Sequence, residues 1–117
     1  MFQTSSPSYI LSASIDGAVR LLASEDGKRL LEDWYSEVTN THKRLNVLSH
    51  AKSFKTEDGV FGLDPSKFII SGGCELASLL RRENVEPEMV SKHYVVAMTG
   101  AGDTPESLCA FASAVET

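Results

Sequence analysis

The chain has few of the residues that build metal sites or disulfide frameworks. Only two cysteines occur among its 117 residues, Cys74 and Cys109, and their spacing matches neither a zinc site nor a CxxC motif, which leaves a disulfide between them open but not favoured. We expect both to be small buried side chains in a reducing cytosol, so the sequence predicts a cytoplasmic protein. His42, His50 and His93 are dispersed, and no metal site is expected from their spacing.

Basic blocks and long apolar runs are also missing. Eleven Lys and Arg residues stand against sixteen Asp and Glu, giving a net charge of −5, so nucleic acid is not an expected partner. No apolar run approaches the roughly twenty residues that span a bilayer, and no signal-peptide pattern heads the chain. We therefore expect no membrane partner. A hydrophobic content of 42% is enough for the core of one domain.

The first of two predicted parts, residues 1–50, is helical. One helix is expected from residue 8 to about 23, and a long second helix from residue 25 to about 49, because apolar residues recur in both at helical spacing. The stripes consist of Leu11, Ile15, Ala18, Val19 and Leu22 in the first helix, and of Leu31, Tyr35, Val38, Leu45 and Leu48 in the second. The polar, glycine-containing stretch that follows marks the boundary.

The second part, residues 51–117, is predicted to be a small α+β domain of order β-α-β-β-α. Strands are expected at residues 67–71, 86–90 and 94–99, the middle one weak and at an edge because Pro87 cannot donate to a ladder. Thr104 should cap the last helix, with Pro105 in its first turn and Leu108, Phe111, Ala112 and Val115 facing inward. Such alternation indicates helices on one face of a small sheet.

Local chemistry leaves several interpretations open. The hydroxyl-rich residues 4–8, Thr-Ser-Ser-Pro-Ser, could hold a phosphate or could simply cap the helix that follows. The pair Gly72 and Gly73 could bind an anion at a helix start, but a tight strand-to-helix turn is favoured because further glycines at fixed spacing are lacking. Glu86 and Glu88 could share one face for acid–base work, although a solvated edge is the commoner outcome.

Three motifs in order resemble the bacterial ornithine/lysine/arginine decarboxylases, which are pyridoxal-phosphate (PLP) enzymes of the aspartate-aminotransferase fold. The motifs are residues 4–9 with 13–16 (Thr-Ser-Ser-Pro-Ser-Tyr and Ala-Ser-Ile-Asp), residues 63–70 (Leu-Asp-Pro-Ser-Lys-Phe-Ile-Ile), and residues 85–89 with 94–99 and 102–104 (Val-Glu-Pro-Glu-Met, Tyr-Val-Val-Ala-Met-Thr and Gly-Asp-Thr). The resemblance implies that the chain is the C-terminal portion of such an enzyme, with the small C-terminal domain of fold-type-I PLP enzymes.

The resemblance also implies roles for single residues. Thr4, Ser5 and Ser6 would hold the phosphate of the PLP that is bound to the neighbouring subunit. The family's Schiff-base lysine belongs to a Ser-x-His-Lys motif upstream of that segment, so no catalytic residue is expected here, and the chain alone should neither bind PLP nor be active. Lys43 follows Thr41-His42 and imitates the motif, but it comes in the wrong order and in a helix.

Partners follow from the same expectations. Without the rest of an enzyme the two helices would expose large apolar side chains, so we expect a homo-oligomer or association with the missing N-terminal part. The alternative is a free-standing interaction or regulatory module that dimerises through its long helix, residues 25–49.

Overall fold

Two helices lead the part of the chain that the computed structural model describes, which comprises residues 8–48, 62 and 64–117. The elements are α1 (Tyr9–Ala23), α2 (Glu25–Asn46), β1 (Lys67–Ser71), α3 (Gly73–Arg82), β2 (Met89–Val90), β3 (Tyr94–Met98) and α4 (Pro105–Glu116). The predicted α+β class, with two helices before a β-α-β-β-α order, is confirmed.

The chain divides into two compact units within α2. Unit 1 is Met1–Asp33, described from Ser8 onwards, and unit 2 is Trp34–Thr117. The sequence places its division between residues 50 and 51, which lie outside the described residues, so that boundary stays a prediction.

In unit 1 a single residue, Ser24, separates α1 from α2. Its backbone N–H donates to the carbonyl of Leu21 over 3.0 Å, and its Oγ accepts from the N–H of Gly27 over 3.1 Å. Ser24 therefore ends one helix and caps the next. Gly27 is buried at this corner, where a Cβ would collide with the Leu21 carbonyl.

The sheet of unit 2 has the order β1-β3-β2, and both pairings are antiparallel. Its register sets Phe68 opposite Ala97 and Ile70 opposite Val95, and all four side chains are buried. Because alternate residues of a strand share a face, these four form the core face of the sheet.

Helices pack on that face and close the core of unit 2. The buried apolar residues outside the sheet are Val38 and Leu45 of α2, Leu76, Ala77 and Leu80 of α3, and Leu108, Phe111, Ala112, Ala114 and Val115 of α4. The inward residues predicted for the last helix are thus confirmed. Thr104 caps α4, its Oγ1 accepting from the N–H of Ser107 over 3.3 Å, with Pro105 in the first turn.

The turn between β1 and α3 depends on glycine. Gly72 and Gly73 have φ angles of 133° and 54°, which residues with side chains rarely adopt. A Cβ on Gly73 would also collide with the backbone carbonyl of Lys92. The prediction of a tight strand-to-helix turn at this pair is confirmed.

Three predicted boundaries change. The middle strand is Met89–Val90 rather than 86–90, because Pro87 cannot donate and Glu86 is held by an ion pair with Arg81. The last strand ends at Met98 and α2 ends at Asn46. No helix within the described ranges is long and apolar enough to cross a membrane.

The prediction that both cysteines are buried is wrong, because Cys74 and Cys109 are exposed. Both lie in helices, as expected, but on the outer faces. The buried residues of α3 begin beside Cys74 at Gly73 and continue at Leu76, so the thiol is rotated away from the core. Cys109 follows buried Leu108 and turns outward in the same way.

Candidate functional site

The predicted phosphate-binding residues, Thr4, Ser5 and Ser6, lie outside the described residues, and the structure begins immediately after Pro7. The first described hydroxyl is that of Ser8, whose Oγ accepts from the N–H of Leu11 over 3.4 Å. Ser8 therefore serves as the N-cap of α1. Of the two interpretations of the hydroxyl-rich segment, capping applies to this last serine.

The helix that follows this segment has an unusual surface for a folded protein. None of the residues of α1 is buried, and its large apolar side chains, from Tyr9 to Leu22, are between 44% and 87% exposed. Apolar side chains in such number mark an interaction surface. The described helix α1 is therefore a candidate interaction surface, and the phosphate-binding role of Thr4, Ser5 and Ser6 stays a prediction.

The segment of α2 that resembles the family's lysine motif, Thr41-His42-Lys43, has a structural role. The ring of His42 stacks on Phe68 of β1, with centroids 4.2 Å apart. Its Nε2 lies 3.1 Å from the carbonyl oxygen of Pro65; since a carbonyl only accepts, Nε2 must carry the proton. Lys43, beside it, is exposed, whereas a lysine that forms a Schiff base needs a desolvated pocket.

Arg44, in the same part of α2, binds side chains of α4. Its Nε and Nη2 donate to the two carboxylate oxygens of Glu116, each over 2.5 Å. Nη2 also donates to Ser113 Oγ over 3.1 Å, and Nη1 lies 3.6 Å from the sulfur of Cys109. The hydrogen bonds from Arg44 lower the pKa of Glu116 below its usual value. His42 therefore joins α2 to β1, and Arg44 joins α2 to α4.

A cleft of about 240 Å³ opens in unit 2 where β3 ends and α4 begins. Buried apolar side chains line its floor and polar groups line its mouth; the lining residues are Phe68, Asn84, Val85, Glu86, Ala97, Met98, Thr99, Asp103, Ser107, Leu108 and Phe111. The cleft is smaller and more polar than most small-ligand sites, which are larger and lined mainly by apolar side chains.

A hydrogen-bonded network fixes the mouth of the cleft. Trp34 Nε1 donates to Thr99 Oγ1 over 3.2 Å, and Thr99 Oγ1 donates to Asp103 Oδ2 over 2.7 Å. The same Asp103 oxygen accepts from the N–H of Gly100 over 2.9 Å. Asp103 is thus committed to the turn that was predicted at residues 100–103, which leaves it little freedom for ligand chemistry.

The remaining acids of this region are also engaged. Arg81 donates to Glu86 through both Nε and Nη2, at 2.7 to 3.1 Å, and these bonds lower the pKa of Glu86. Glu86 is therefore an ionised partner of arginine rather than a proton-transferring acid. In the described part of the chain no group of His, Cys, Asp and Glu side chains is arranged to hold a metal ion.

Sequence reasoning did not foresee the hydrogen bonds from Trp34 to Thr99 and from Arg44 to Glu116. Trp34 and Thr99 are 65 positions apart, and Arg44 and Glu116 are 72 apart. The local periodicity of a sequence cannot predict contacts between residues so far apart in the chain. The available signal was residue type, since a tryptophan or arginine among the apolar positions of a helix usually needs a polar partner.

Comparison with known proteins adds what the geometry alone does not give. Arginine decarboxylases of Bacillus anthracis, Bacillus cereus and Bacillus subtilis are 32%, 31% and 30% identical to the chain over 115 residues, which covers 89% of it. The chain is related to the arginine decarboxylases. It spans about a quarter of the length of these relatives, 23% to 25%. No protein-family profile and no solved structure matches it.

The similarity to arginine decarboxylases confirms the resemblance drawn from the three motifs. Because it covers 89% of the chain, it includes residues of both compact units.

Proposed function

We propose that the chain is the C-terminal portion of a PLP-dependent decarboxylase of a basic amino acid. The observation that carries the proposal is the similarity to three arginine decarboxylases over 89% of the chain, which spans only about a quarter of their length. Their names favour arginine as the substrate of the whole enzyme over ornithine or lysine. The exposed apolar surface of α1 supports the proposal, since such a helix is stable only when other polypeptide covers it.

In this proposal Thr4, Ser5 and Ser6 donate hydrogen bonds to the phosphate of the PLP held by the neighbouring subunit. The donor set fits this group, because each hydroxyl can donate and a phosphate offers only acceptor oxygens. Pro7 restricts the backbone next to them in the sequence, and Ser8 caps the helix α1 that follows. When bound, the coenzyme supplies the electron sink for the loss of carbon dioxide.

The proposal assigns no covalent role to this chain. Lys43, the lysine whose neighbours most resemble the family's motif, is exposed, whereas a Schiff-base lysine works in a desolvated pocket. We therefore expect the isolated chain to be inactive and not to form a covalent bond with PLP.

Two measurements test the proposal. First, the purified chain is incubated with PLP and treated with borohydride, and mass spectrometry is expected to find no reduced PLP–lysine product; modification of one lysine in high yield would contradict the proposal. Second, this chain replaces the matching section of the Bacillus subtilis arginine decarboxylase. In that chimaera, replacing Thr4, Ser5 and Ser6 by alanine should weaken PLP binding at least tenfold, whereas Ser12→Ala, in α1, should change it less than twofold.

The alternative function, a free-standing interaction or regulatory module, is favoured by one observation. The described residues of unit 2 contain a cluster of buried apolar side chains of their own. Its proposed dimerisation surface is limited, however, because Val38 and Leu45 of the long helix are already buried in that core. A chimaera that folds but binds no PLP would favour this alternative.

A further inference from the structure

The cleft where β3 ends and α4 begins has a floor of apolar side chains. Phe68, Ala97, Leu108 and Phe111 are buried and line it, and the centroids of the two phenylalanine rings are 5.1 Å apart. The cleft has a volume of about 240 Å³, below the range of roughly 300–1,000 Å³ that most ligand pockets occupy. It therefore has room for an apolar group of only a few heavy atoms.

The hydroxyl groups at the mouth of the cleft have already used their hydrogen atoms. Thr99 Oγ1 donates to Asp103 Oδ2 over 2.7 Å, and Ser107 Oγ donates to the carbonyl oxygen of Thr104 over 2.8 Å. A hydroxyl carries one hydrogen and two lone pairs, so both groups can offer a ligand only acceptor sites. The amide of Asn84, which also lines the cleft, can accept as well as donate. These groups favour a ligand that donates hydrogen bonds.

Asp103 supplies a fixed carboxylate at the same mouth. Its Oδ2 accepts from Thr99 Oγ1 and from the N–H of Gly100, which holds the side chain in place. Its Oδ1 accepts no hydrogen bond from the described part of the chain, and no Lys or Arg side chain there forms an ion pair with it. This carboxylate has little freedom to move or to transfer a proton, but a fixed acceptor binds a donor with a small loss of conformational entropy.

The charge of the cleft also favours a cation. Its lining contains the carboxylates of Asp103 and Glu86 and no Lys or Arg. Glu86 is balanced by Arg81, whose Nη2 is 2.7 Å from Glu86 Oε1. Asp103 is therefore the carboxylate of the lining that lacks a basic partner, and it attracts cations and repels anions.

We propose that the cleft binds a small primary amine, whose apolar chain contacts Phe68 and Phe111 and whose ammonium group donates to Asp103 and to the two hydroxyls. An ammonium group has three hydrogens to donate and no acceptor, which matches the acceptors at the mouth. The site goes beyond the proposed function, because binding needs neither PLP nor a catalytic lysine. Loss of carbon dioxide from an amino acid leaves a primary amine, so in a decarboxylase the cleft would hold molecules of the product's class; that consequence alone rests on the proposed function.

An NMR titration of the full-length chain, labelled with ¹⁵N, tests the proposal with butylammonium chloride at near-neutral pH and constant ionic strength. The amide signals of Thr99, Gly100, Asp103 and Ser107 should shift saturably, with a dissociation constant on the order of millimolar, because few atoms make contact. Butan-1-ol has the same chain without the charge and should bind at least fivefold more weakly. Sodium butyrate, whose charge is negative, should cause no saturable shift of these signals.

Two variants separate the site from general charge effects. Asp103→Asn keeps an acceptor for Thr99 and Gly100 but removes the charge. It should weaken butylammonium binding at least fivefold while changing butan-1-ol binding less than twofold. Glu88→Gln removes one exposed carboxylate that does not line the cleft and should change either affinity less than twofold. The emission of Trp34, the single tryptophan of the chain, reports whether unit 2 remains folded, because its Nε1 donates to Thr99.

Three results would overturn the proposal. They are a wild type without saturable shifts at these four amides, butan-1-ol that binds as tightly as butylammonium, and a folded Asp103→Asn variant that binds butylammonium as well as Glu88→Gln does. If Asp103→Asn does not fold, the comparison of the amine with the alcohol in the wild type still decides. Each of these results would leave the borohydride and chimaera tests of the proposed function unaffected.

Discussion

At Gly73 a single hydrogen atom in place of a side chain determines the path of the chain. The residue has a φ of 54°, and a Cβ there would collide with the carbonyl of Lys92. Gly73→Ala should therefore destabilise unit 2 by about 1–3 kcal/mol, through backbone strain and the collision. Gly102→Ala is the matched control, because a Cβ at that position meets no atom within 4 Å. Urea unfolding followed by Trp34 emission measures both; equal midpoints would refute the account of this turn.

At the residue scale, the carboxylates of Glu116 and Glu86 should make the free energy of unfolding depend on pH. Hydrogen bonds from Arg44 lower the pKa of Glu116, and those from Arg81 lower the pKa of Glu86. Such groups bind protons less readily when folded than when unfolded. Their contribution to the free energy of unfolding is therefore fully present above the usual glutamate pKa of about 4.3. It is lost as the pH falls through the lowered pKa of the folded state.

Glu116→Gln tests this pH dependence. The urea midpoint of the variant should decline less steeply than that of the wild type as the pH falls from roughly 5 towards 2, because one of the titrating groups is gone. Ser113→Ala removes a neutral partner of Arg44 and should leave the slope unchanged. Identical slopes for the wild type and Glu116→Gln would contradict the role assigned to the ion pair.

Residue patterns predict which side chains are buried better than they predict which side chains form hydrogen bonds with each other. The inward side of α4 follows from apolar spacing, and its residues are buried. The exposure of Cys109, one position after Leu108, was missed because cysteine is treated as a small apolar residue wherever it occurs. The bond between Trp34 and Thr99 could not be foreseen, since it depends on how α2 packs against the end of β3.

At the scale of elements, short polar side chains that cap the backbone determine where helices begin and end. Thr104 Oγ1 accepts from the N–H of Ser107, which satisfies one of the unpaired donors at the start of α4. Thr104→Ala should cost about 1 kcal/mol of unfolding free energy, while Thr104→Ser keeps the acceptor and should cost much less. Thermal unfolding by circular dichroism compares the two variants; equal losses would mean that the cap contributes little.

Element order was predictable because each helix and strand carries its own signal. Glycine at 72 and 73, Pro105 after Thr104, and the strand-forming runs at residues 67–71 and 94–99 predict elements that the structure contains, the last strand ending one residue earlier at Met98. The short β2 was not foreseen at its true length. Its limits depend on the ion pair of Glu86 with Arg81, which arises only when α3 and the following loop are in place.

At the scale of the whole molecule, the two units differ in how far they bury their apolar side chains. The described part of unit 2 contains a cluster of buried apolar side chains, whereas α1 of unit 1 buries none of its own. The amphipathic pattern of α1 predicted the helix, but no pattern in one sequence states what covers it. The candidate phosphate-binding residues Thr4, Ser5 and Ser6 were found through the family motif, and they still await a structural test because they precede the described residues.

The central claim is that this chain can serve as a section of an arginine-decarboxylase-type enzyme. Its most direct test is the release of carbon dioxide from arginine by the chimaera in which this chain replaces the matching section of the Bacillus subtilis arginine decarboxylase, a relative 30% identical to it. We predict PLP-dependent activity well above that of the same enzyme with the section deleted. A chimaera that is folded and binds PLP but releases no carbon dioxide from arginine, ornithine or lysine would contradict the account.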